Sequence, residues 1–583
     1  MPTNLERFVS GQITRRSRSV IGPSFALPLI FGYLPGAIFD GMTKTYEDPS
    51  DLLEDLEAVG LDDRHPTYQA ALRLCSQKPR VAEFKVGKRA TAPTQSMRIT
   101  PPATPTASGT YAITIDGVTF QIATDASPTV AEITAAFAGI INVDADAIIA
   151  SGVSSAASPQ TIAAAAFNGV IGAGRVSPSR NFTFAFSNHA DWDATTLIIT
   201  GRRNGRIVTE NIAIPNGGNA TVVGTKVFDM DEASLDATTF LIPTQSGVGG
   251  TLQVGVGVKF DDDAHLDITA TDGTTHVDIA ADVAGKWFAY IGLSTGLAIE
   301  DRTTDPGIAA DLAAVRDADA AWYLLHLADA QSSAQILAAA AWAELELVYM
   351  VADSIDTAVE TSDAASTALS LEALGYLRTK LFQSRKNHGR HMAIGIMSRL
   401  LASPDPGERF VSIEYGLTPL VGCEPDDYGA DEITRMAGTT ENPASGNGTT
   451  IYIEAIAAGA NEGVGVVWGA MGHGGEWVDV VVSLDYARSD LQIAEFNFFL
   501  NRPRVPFTRD GIGSLETVVE NRLIVLSGAP YNIFDPSSIT VTPKAYEATT
   551  PTERQTRRYN GIKWGATLQG AIRSLDASGE VTP

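Results

Sequence analysis

Cysteine is almost missing from this chain: two residues, Cys75 and Cys423, in 583. The first falls in the helical pattern 67-TYQAALRLCSQ-77 and the second follows a strand-like run before Glu424-Pro425. Isolated thiols in a reducing compartment fit that usage better than a disulfide framework or a cysteine metal site. Basic residues are also short, 42 Lys and Arg against 68 Asp and Glu, for a net charge of -26. A chain of that sign repels nucleic acid overall, so direct nucleic-acid binding is not expected. No uninterrupted apolar run has membrane length. The stretch 20-VIGPSFALPLIFGYLPGAIF-39 carries Pro23, Pro28 and Pro35, which break a spanning helix and leave short buried strands and turns. The beginning of the chain has no signal-peptide layout.

Motifs that carry chemistry are equally scarce. The run 469-GAMGHGG-475 has no Lys followed by Ser or Thr, and 172-GAGRVSPSR-180 lacks a strand before it and a helix after it. Both read as tight turns rather than phosphate cradles. The histidines in 385-RKNHGRH-391 are crowded by Arg385, Lys386 and Arg390, an unfavourable setting for a cation. The acidic turn 261-DDDAHLD-267 lacks the glycine and distal glutamate of a calcium loop. No metal ligand and no cofactor site is assigned. Asp353, at the end of the strand pattern 347-LVYMVAD-353, is the strongest catalytic candidate, because open α/β sheets place their sites at strand ends. Against it stands a plain capping role, with His326 inside the neighbouring strand pattern packing or hydrogen-bonding, and Asp329 capping the helix 331–346. The chain is read as a non-enzyme.

What is present is punctuation. Gly (53) and Pro (29) are somewhat enriched, and 583 residues exceed one core, so several domains are expected. The fold class expected is α+β multidomain: an α/β-type core with a mixed sheet, one or two mostly-β inserted modules, and extended terminal arms. Residues 1–20 form an N-terminal arm and 21–90 the first part of the core, with helices at 50–60 (capped by Ser50 or Asp51) and 66–77, then a strand at 80–88. An Ala/Pro/Ser/Thr-rich linker at 90–110 opens a β-rich module, 91–190, and a second runs over 191–285. Alternation on both sides of Asp116-Gly117 gives a hairpin at 111–122, and Asn204-Gly205 gives another. A helix follows from Pro128, capped by Ser127 or by a Thr129–Glu132 box. The stretch 144–169 is small and polar. From about 308 the pattern alternates helix and strand, and 286–550 is the α/β core. Its elements are helix 308–319, strand 322–328, helix 331–346, strand 347–353, a helical stretch 357–382 and strand 391–397. Long helices follow at 476–501 and near 511–528.

The last segment, 551–583, is an arm ending in a strand. Ile562, Trp564, Ala566, Leu568 and Ile572 share one face of 562-IKWGATLQGAIR-573, behind the polar stretch 551-PTERQTRRYNG-561. A half-apolar strand cannot stand alone, so it must pair with a sheet edge in its own subunit or a neighbour. Arg554, Arg557 and Arg558, with the basic start of the chain, suit acidic surfaces of identical copies.

Four stretches resemble the contractile tail sheath proteins of bacteriophages, in the divergent DUF3383-like group. They are 111-YAITIDGVTFQIATDASPTVAEITAAFAGIIN-142, 322-WYLLHLADAQSSAQILAAAAWAE-344 with Leu347–Ser354, 371-LEALGYLRTKLFQSRKNHGR-390, and 465-GVVWGAMGHGGEWVDVVVSLDYARSDLQIAEFNFFLN-501. The resemblance implies stacked hexameric rings in a helical lattice around an inner tube, with termini donating strands to neighbours. It implies as partners identical subunits, the inner tail tube protein, and baseplate and terminator proteins. It implies a virion location after assembly in the host cytoplasm, with no membrane insertion. Phe8, Val9 and Ile13 would be the pairing residues of the N-terminal arm, 286–550 would face the tube, and the β modules would face outwards. The alternatives are a baseplate or other tail protein, and then a glycan-binding or hydrolytic virion component.

Overall fold

Apolar residues at nearly every position of 28-PLIFGY-33 and, apart from His326, of 324-LLHL-327 leave these strands no solvated face, so both faces must be covered. In the computed structural model they are. It describes residues 25–570 apart from 26, 79, 116, 157–158, 175–177, 189–190, 193–195, 215–218, 246, 261–267, 282–290, 306, 330, 362–364, 402–415, 418, 456–462 and 503. The architecture is mixed α+β with several sheets, and the chain divides into two compact units. One joins Met1–Ala92 to Asp305–Pro583; the other is Pro93–Thr304.

The first unit is built on a six-stranded sheet. Its order is Thr43–Tyr46, Phe84–Arg89, Pro28–Tyr33, Leu324–Leu327, Tyr349–Ser354, Thr379–Gln383. All neighbours are parallel except Thr43–Tyr46 against Phe84–Arg89. Adjacent residues of one strand serve opposite cores. Ile30, Leu324 and Val351 pack with the helices Pro49–Ala58, Pro66–Ser76, Met392–Leu401, Val478–Leu500 and Arg509–Ser527. Leu29, Leu325 and Met350 pack with Ile308–Ala318, Ser333–Glu346, Thr367–Leu374 and Ala430–Ala437. The chain runs from Pro28–Tyr33 to Phe84–Arg89 on one side and then to Leu324–Leu327 on the other, so the winding reverses between the two central strands. That reversal is the switch point at which doubly wound sheets hold ligands.

Two expectations fail here. The stretch 357–382 is not one helix: Thr367–Leu374 ends at Gly375 in the left-handed region (φ 64°), and Thr379–Gln383 is a fully buried strand. The run 391–397 is not a strand but the start of the helix Met392–Leu401. A short all-apolar run carries no period that separates a buried strand from a buried helix. Gly395 lets this helix approach Pro66–Ser76; a Cβ there would meet Arg73 Cγ at 3.0 Å. A smaller correction is that Asp48, not Ser50 or Asp51, caps Pro49–Ala58.

The second unit is mainly antiparallel. Sheets ordered Arg206–Ala213, Thr196–Arg203, Thr239–Ile242, Gln160–Ala163 and Ala220–Phe228, Arg180–Phe186, Thr251–Val256, Asp144–Ser154 enclose one core of Phe182, Phe184, Phe228, Phe240 and Trp192. The expected division at residue 190 falls inside this sandwich, because Gln160–Ala163 pairs with Thr239–Ile242 and Arg180–Phe186 with Thr251–Val256. The small, polar stretch 144–169 supplies two of its strands. The hairpin Thr110–Ile115/Val118–Ala123 and the Thr129–Glu132 capping box form as expected, as does the hairpin through Asn204-Gly205. The expected linker 90–110 instead contains the strand Ser96–Thr100, paired on both edges with Val277–Ala281 and Ala298–Asp301. Residues up to Thr304 therefore belong to this unit rather than to a core starting at 286.

Candidate functional site

At the switch point, the carboxyl ends of Pro28–Tyr33 and Leu324–Leu327 are filled by the chain itself. Arg89, at the end of its strand, is completely buried and pairs with Asp305 and with Asp329 Oδ2 (3.2 Å). The same Asp329 oxygen accepts from Tyr33 N at 2.9 Å. Burial pushes the Asp329 carboxyl up to about 6 against the pull of Arg89. Gly32 is required beside it, since a Cβ would lie 2.5 Å from Thr67 Oγ1 and 3.1 Å from Asp329 Oδ1. Asp329 is thus a buried ion-pair partner; Ser332, not Asp329, is the cap of Ser333–Glu346. The crevice that holds a nucleotide in related topologies is here an internal ion network.

A different cluster sits one strand over. His326 registers with Val351, so Asp353, two residues further along that strand, shares its face. The start of Met392–Leu401 lies across this edge: Ala393 N donates to Asp353 Oδ1 at 2.8 Å. A carboxylate at a helix N-terminus is favoured by the exposed N–H groups there. His391, just before the helix, is held at φ +50°. Its Nδ1 lies 3.1 Å from His326 Nε2, which is 4.0 Å from Asp353 Oδ2. Burial holds His326 down to about 3 and His391 well below its ordinary value, and desolvation lifts Asp353 to about 7. Asp353 therefore does meet convergent polar groups. Sequence reasoning finds Asp353 and His326 but misses His391 as their partner, because 391–397 reads as a strand and Arg385, Lys386 and Arg390 read as crowding it. The structure instead pairs those three cations with Glu360 and Glu432, Asp427, and Glu424, respectively.

The glycine run 469–475 is a turn built around His473, whose Nε2 accepts from Leu381 N (3.2 Å) and whose Nδ1 donates to Asn447 O (2.7 Å). The acidic turn 261–267 lies outside the described residues.

The C-terminal segment forms a two-stranded ribbon, Ile562–Gly565 antiparallel to Thr540–Pro543 of the same chain. Phe534 bridges to Leu568 further on. Ile562, Ala566 and Leu568 are partly buried against the first unit's own core. Trp564 stacks edge-on to Phe534 (5.8 Å) yet stays 43% exposed. Arg554 lies over the Tyr546 ring, while Arg557 and Arg558 are exposed. Phe8, Val9, Ile13 and Ile572 lie outside the described residues.

One surface feature had no counterpart in the sequence reading. Val478–Leu500 buries Val481, Val482, Ala487 and Leu491 but leaves Leu484, Ile493, Phe499 and Leu500 exposed. Its neighbour Arg509–Ser527 exposes Ile524 and Val525. The signal was the apolar residues spread around the whole circumference of 476–501, a pattern that belongs to a helix covered on all sides.

No family model matches the chain, and no curated protein does. Nineteen chains of solved structures match. One comes from the cryo-EM structure of the anti-feeding prophage baseplate, six-fold symmetrised, at 15% identity and a TM-score of 0.33. The match covers 47% of this chain and 73% of that one. An overlap that loose transfers neither fold nor role.

Proposed function

We propose that this chain is a structural subunit of a contractile phage tail: a sheath protein that polymerises as stacked hexameric rings around the inner tube and drives it through the host envelope. The observation that carries an assembly role is the exposed apolar surface of Val478–Leu500 and Arg509–Ser527, with Leu500 69% exposed. These apolar side chains are available for contact with another protein molecule. The sheath identity is supported by the sequence resemblance, which includes this same long helix.

The C-terminal ribbon fits the mechanism. Four residue pairs hold Ile562–Gly565 to Thr540–Pro543. A two-stranded ribbon is marginal by itself, and a strand exchanged between identical subunits regains on the neighbour both these pairs and the packing of Ile562, Ala566 and Leu568. Contraction then requires no cofactor; energy stored in interfaces is released as subunits repack. The work is mechanical rather than catalytic.

The test is a chain ending at Gly561. Full-length protein should form ringed tubes by electron microscopy, and the shortened chain should stay folded and monomeric. Long regular tubes from the shortened chain would remove the strand from the mechanism. A second reading, a low-copy baseplate protein, is favoured by the seating of the strand on its own subunit. Copy number in the particle decides: hundreds in a helical lattice mean sheath, a few at one end mean baseplate.

A further inference from the structure

We propose that His326, His391 and Asp353 bind one divalent transition-metal ion, zinc by preference, tying two central strands to the head of the Met392–Leu401 helix. The three offer ligand atoms within 4.8 Å of one another. A tetrahedral zinc ion with bonds of about 2.0–2.1 Å sets its ligands roughly 3.3 Å apart. His326 Nε2 and His391 Nδ1 are already 3.1 Å apart, and Asp353 Oδ2 needs to close from 4.0 Å. Two imidazoles and one carboxylate suit zinc, cobalt or iron, and suit calcium or magnesium poorly.

Three further observations point to a ligand. Asp353 Oδ2 is a buried acceptor with no hydrogen-bond partner, an expensive state unless something takes its lone pairs. His391 occupies the left-handed region, and such strain persists where surroundings fix a side chain for use. Ala393 N holds Asp353 Oδ1, the outer support that aims a ligating carboxylate. Both histidines are buried, whereas the Asp353 side chain is 27% exposed, so an ion and its remaining water enter past the carboxylate. Arg73 opposes binding by its charge, but its guanidinium is engaged by the carbonyl oxygens of Arg390 (2.8 Å) and Val421.

The experiment uses the full chain, stripped with EDTA and titrated with Co²⁺ while visible absorption and melting temperature are followed. One Co²⁺ per chain should bind, raise the melting temperature, and be displaced by Zn²⁺. Asp353→Asn and His391→Gln should each weaken binding by at least about a hundredfold. Circular dichroism in EDTA should show both variants folded like the stripped wild type. Stripped, folded wild type that takes up neither Co²⁺ nor Zn²⁺ at submillimolar concentration would overturn the site, whether or not the variants fold. So would unchanged binding in both variants.

Discussion

The two units bury charge in opposite ways. In the first, Arg89 is enclosed with carboxylates: Asp305, Asp329 and, at 3.8 Å, Asp311. In the second, Arg180 is enclosed with backbone, donating to the carbonyls of Gly257, Ile140, Ile141 and Asn142. Burial draws Arg180 down to about 9, while Arg89 is held above its ordinary value because its carboxylates outweigh burial. The histidines divide the same way. His65, His326, His391 and His473 are all buried in the first unit, and no histidine is buried among the described residues of the second. The second unit is a β-sandwich with an aromatic core and a polar arginine anchor. The first packs ionisable groups inside its core.

Acid should separate them most sharply. Burial holds His326 and His473 to about 3, His65 to about 4, and His391 well below its ordinary value. The unfolded chain takes up those protons below about pH 6.5, so these groups cost stability as pH falls towards 3. Asp329 and Asp426, raised to about 6, and Asp353, raised to about 7, act the other way. The folded unit takes up their protons first, so they add stability as pH falls from about 7 to 4. Above pH 4 the two sets largely offset. Below it the raised carboxyls are protonated in both states, and the histidines are joined by Asp55, Asp319 and Glu432. Against the effect of burial, Lys44, Lys85 and Arg385 hold these three below the ordinary carboxylate range, and that stabilisation is lost as they protonate. The first unit should therefore unfold between about pH 4 and 3 while the second persists. Hydrogen exchange across an acid titration checks this, and earlier exposure of Pro93–Thr304 would reverse the comparison.

Replacing the two arginines sharpens it. Arg89→Met leaves several carboxylates without their cation and should cost the first unit about 3–5 kcal/mol at pH 7.5. The penalty should shrink at pH 5, where Asp329 is protonated. Arg180→Met removes donors from carbonyl oxygens but also relieves a desolvated charge. It should cost the second unit about 1–3 kcal/mol, with a smaller change between pH 5 and 7.5 than Arg89→Met, since Asp144 feels its charge without pairing to it. Denaturant titrations that resolve the two units read both numbers. A pH-independent penalty for Arg89→Met would show that the ion network is not what that residue serves.

The same contrast decided what could be read from sequence. The second unit's hairpins were legible because Asp116-Gly117 sits between alternating runs and Asn204-Gly205 between two apolar, β-branched ones. Its division was not, since Arg180–Phe186 pairs with Thr251–Val256, far along the chain. In the first unit, Val478–Leu500 and Ser333–Glu346 were legible from length and composition. Thr379–Gln383 and Met392–Leu401 were not, being short, buried on every side and without a period. The His326–Asp353–His391 cluster was lost with them, because it exists only if a helix starts at Met392, directly after His391. Nothing local in sequence joins Arg89 to Asp305 and Asp329.

If the second unit is complete in itself, removing it should barely disturb the first. The chain leaves and re-enters through neighbouring points: Thr94 and Thr304 form an antiparallel bridge, with Thr94 N donating to Thr304 O and Thr304 N to Thr94 O, both at 3.0 Å. On the other side of the cut, Thr91 N donates to Asp311 Oδ2 at 3.0 Å, and a Cβ on Gly307 would lie 2.3 Å from Thr91 Oγ1. Ala92 and Asp305 can therefore be joined by a short Gly/Ser bridge in place of Pro93–Thr304. The folded second unit already acts as a short loop, so the exchange alters closure by about one doubling of length, roughly 0.6 kcal/mol. The joined chain should melt within a few degrees of the first-unit transition in the full chain and keep the Arg89 pH signature. Loss of folding in the joined chain, with Pro93–Thr304 folded when expressed alone, would mean that the first unit depends on the second and that the independence is one-sided.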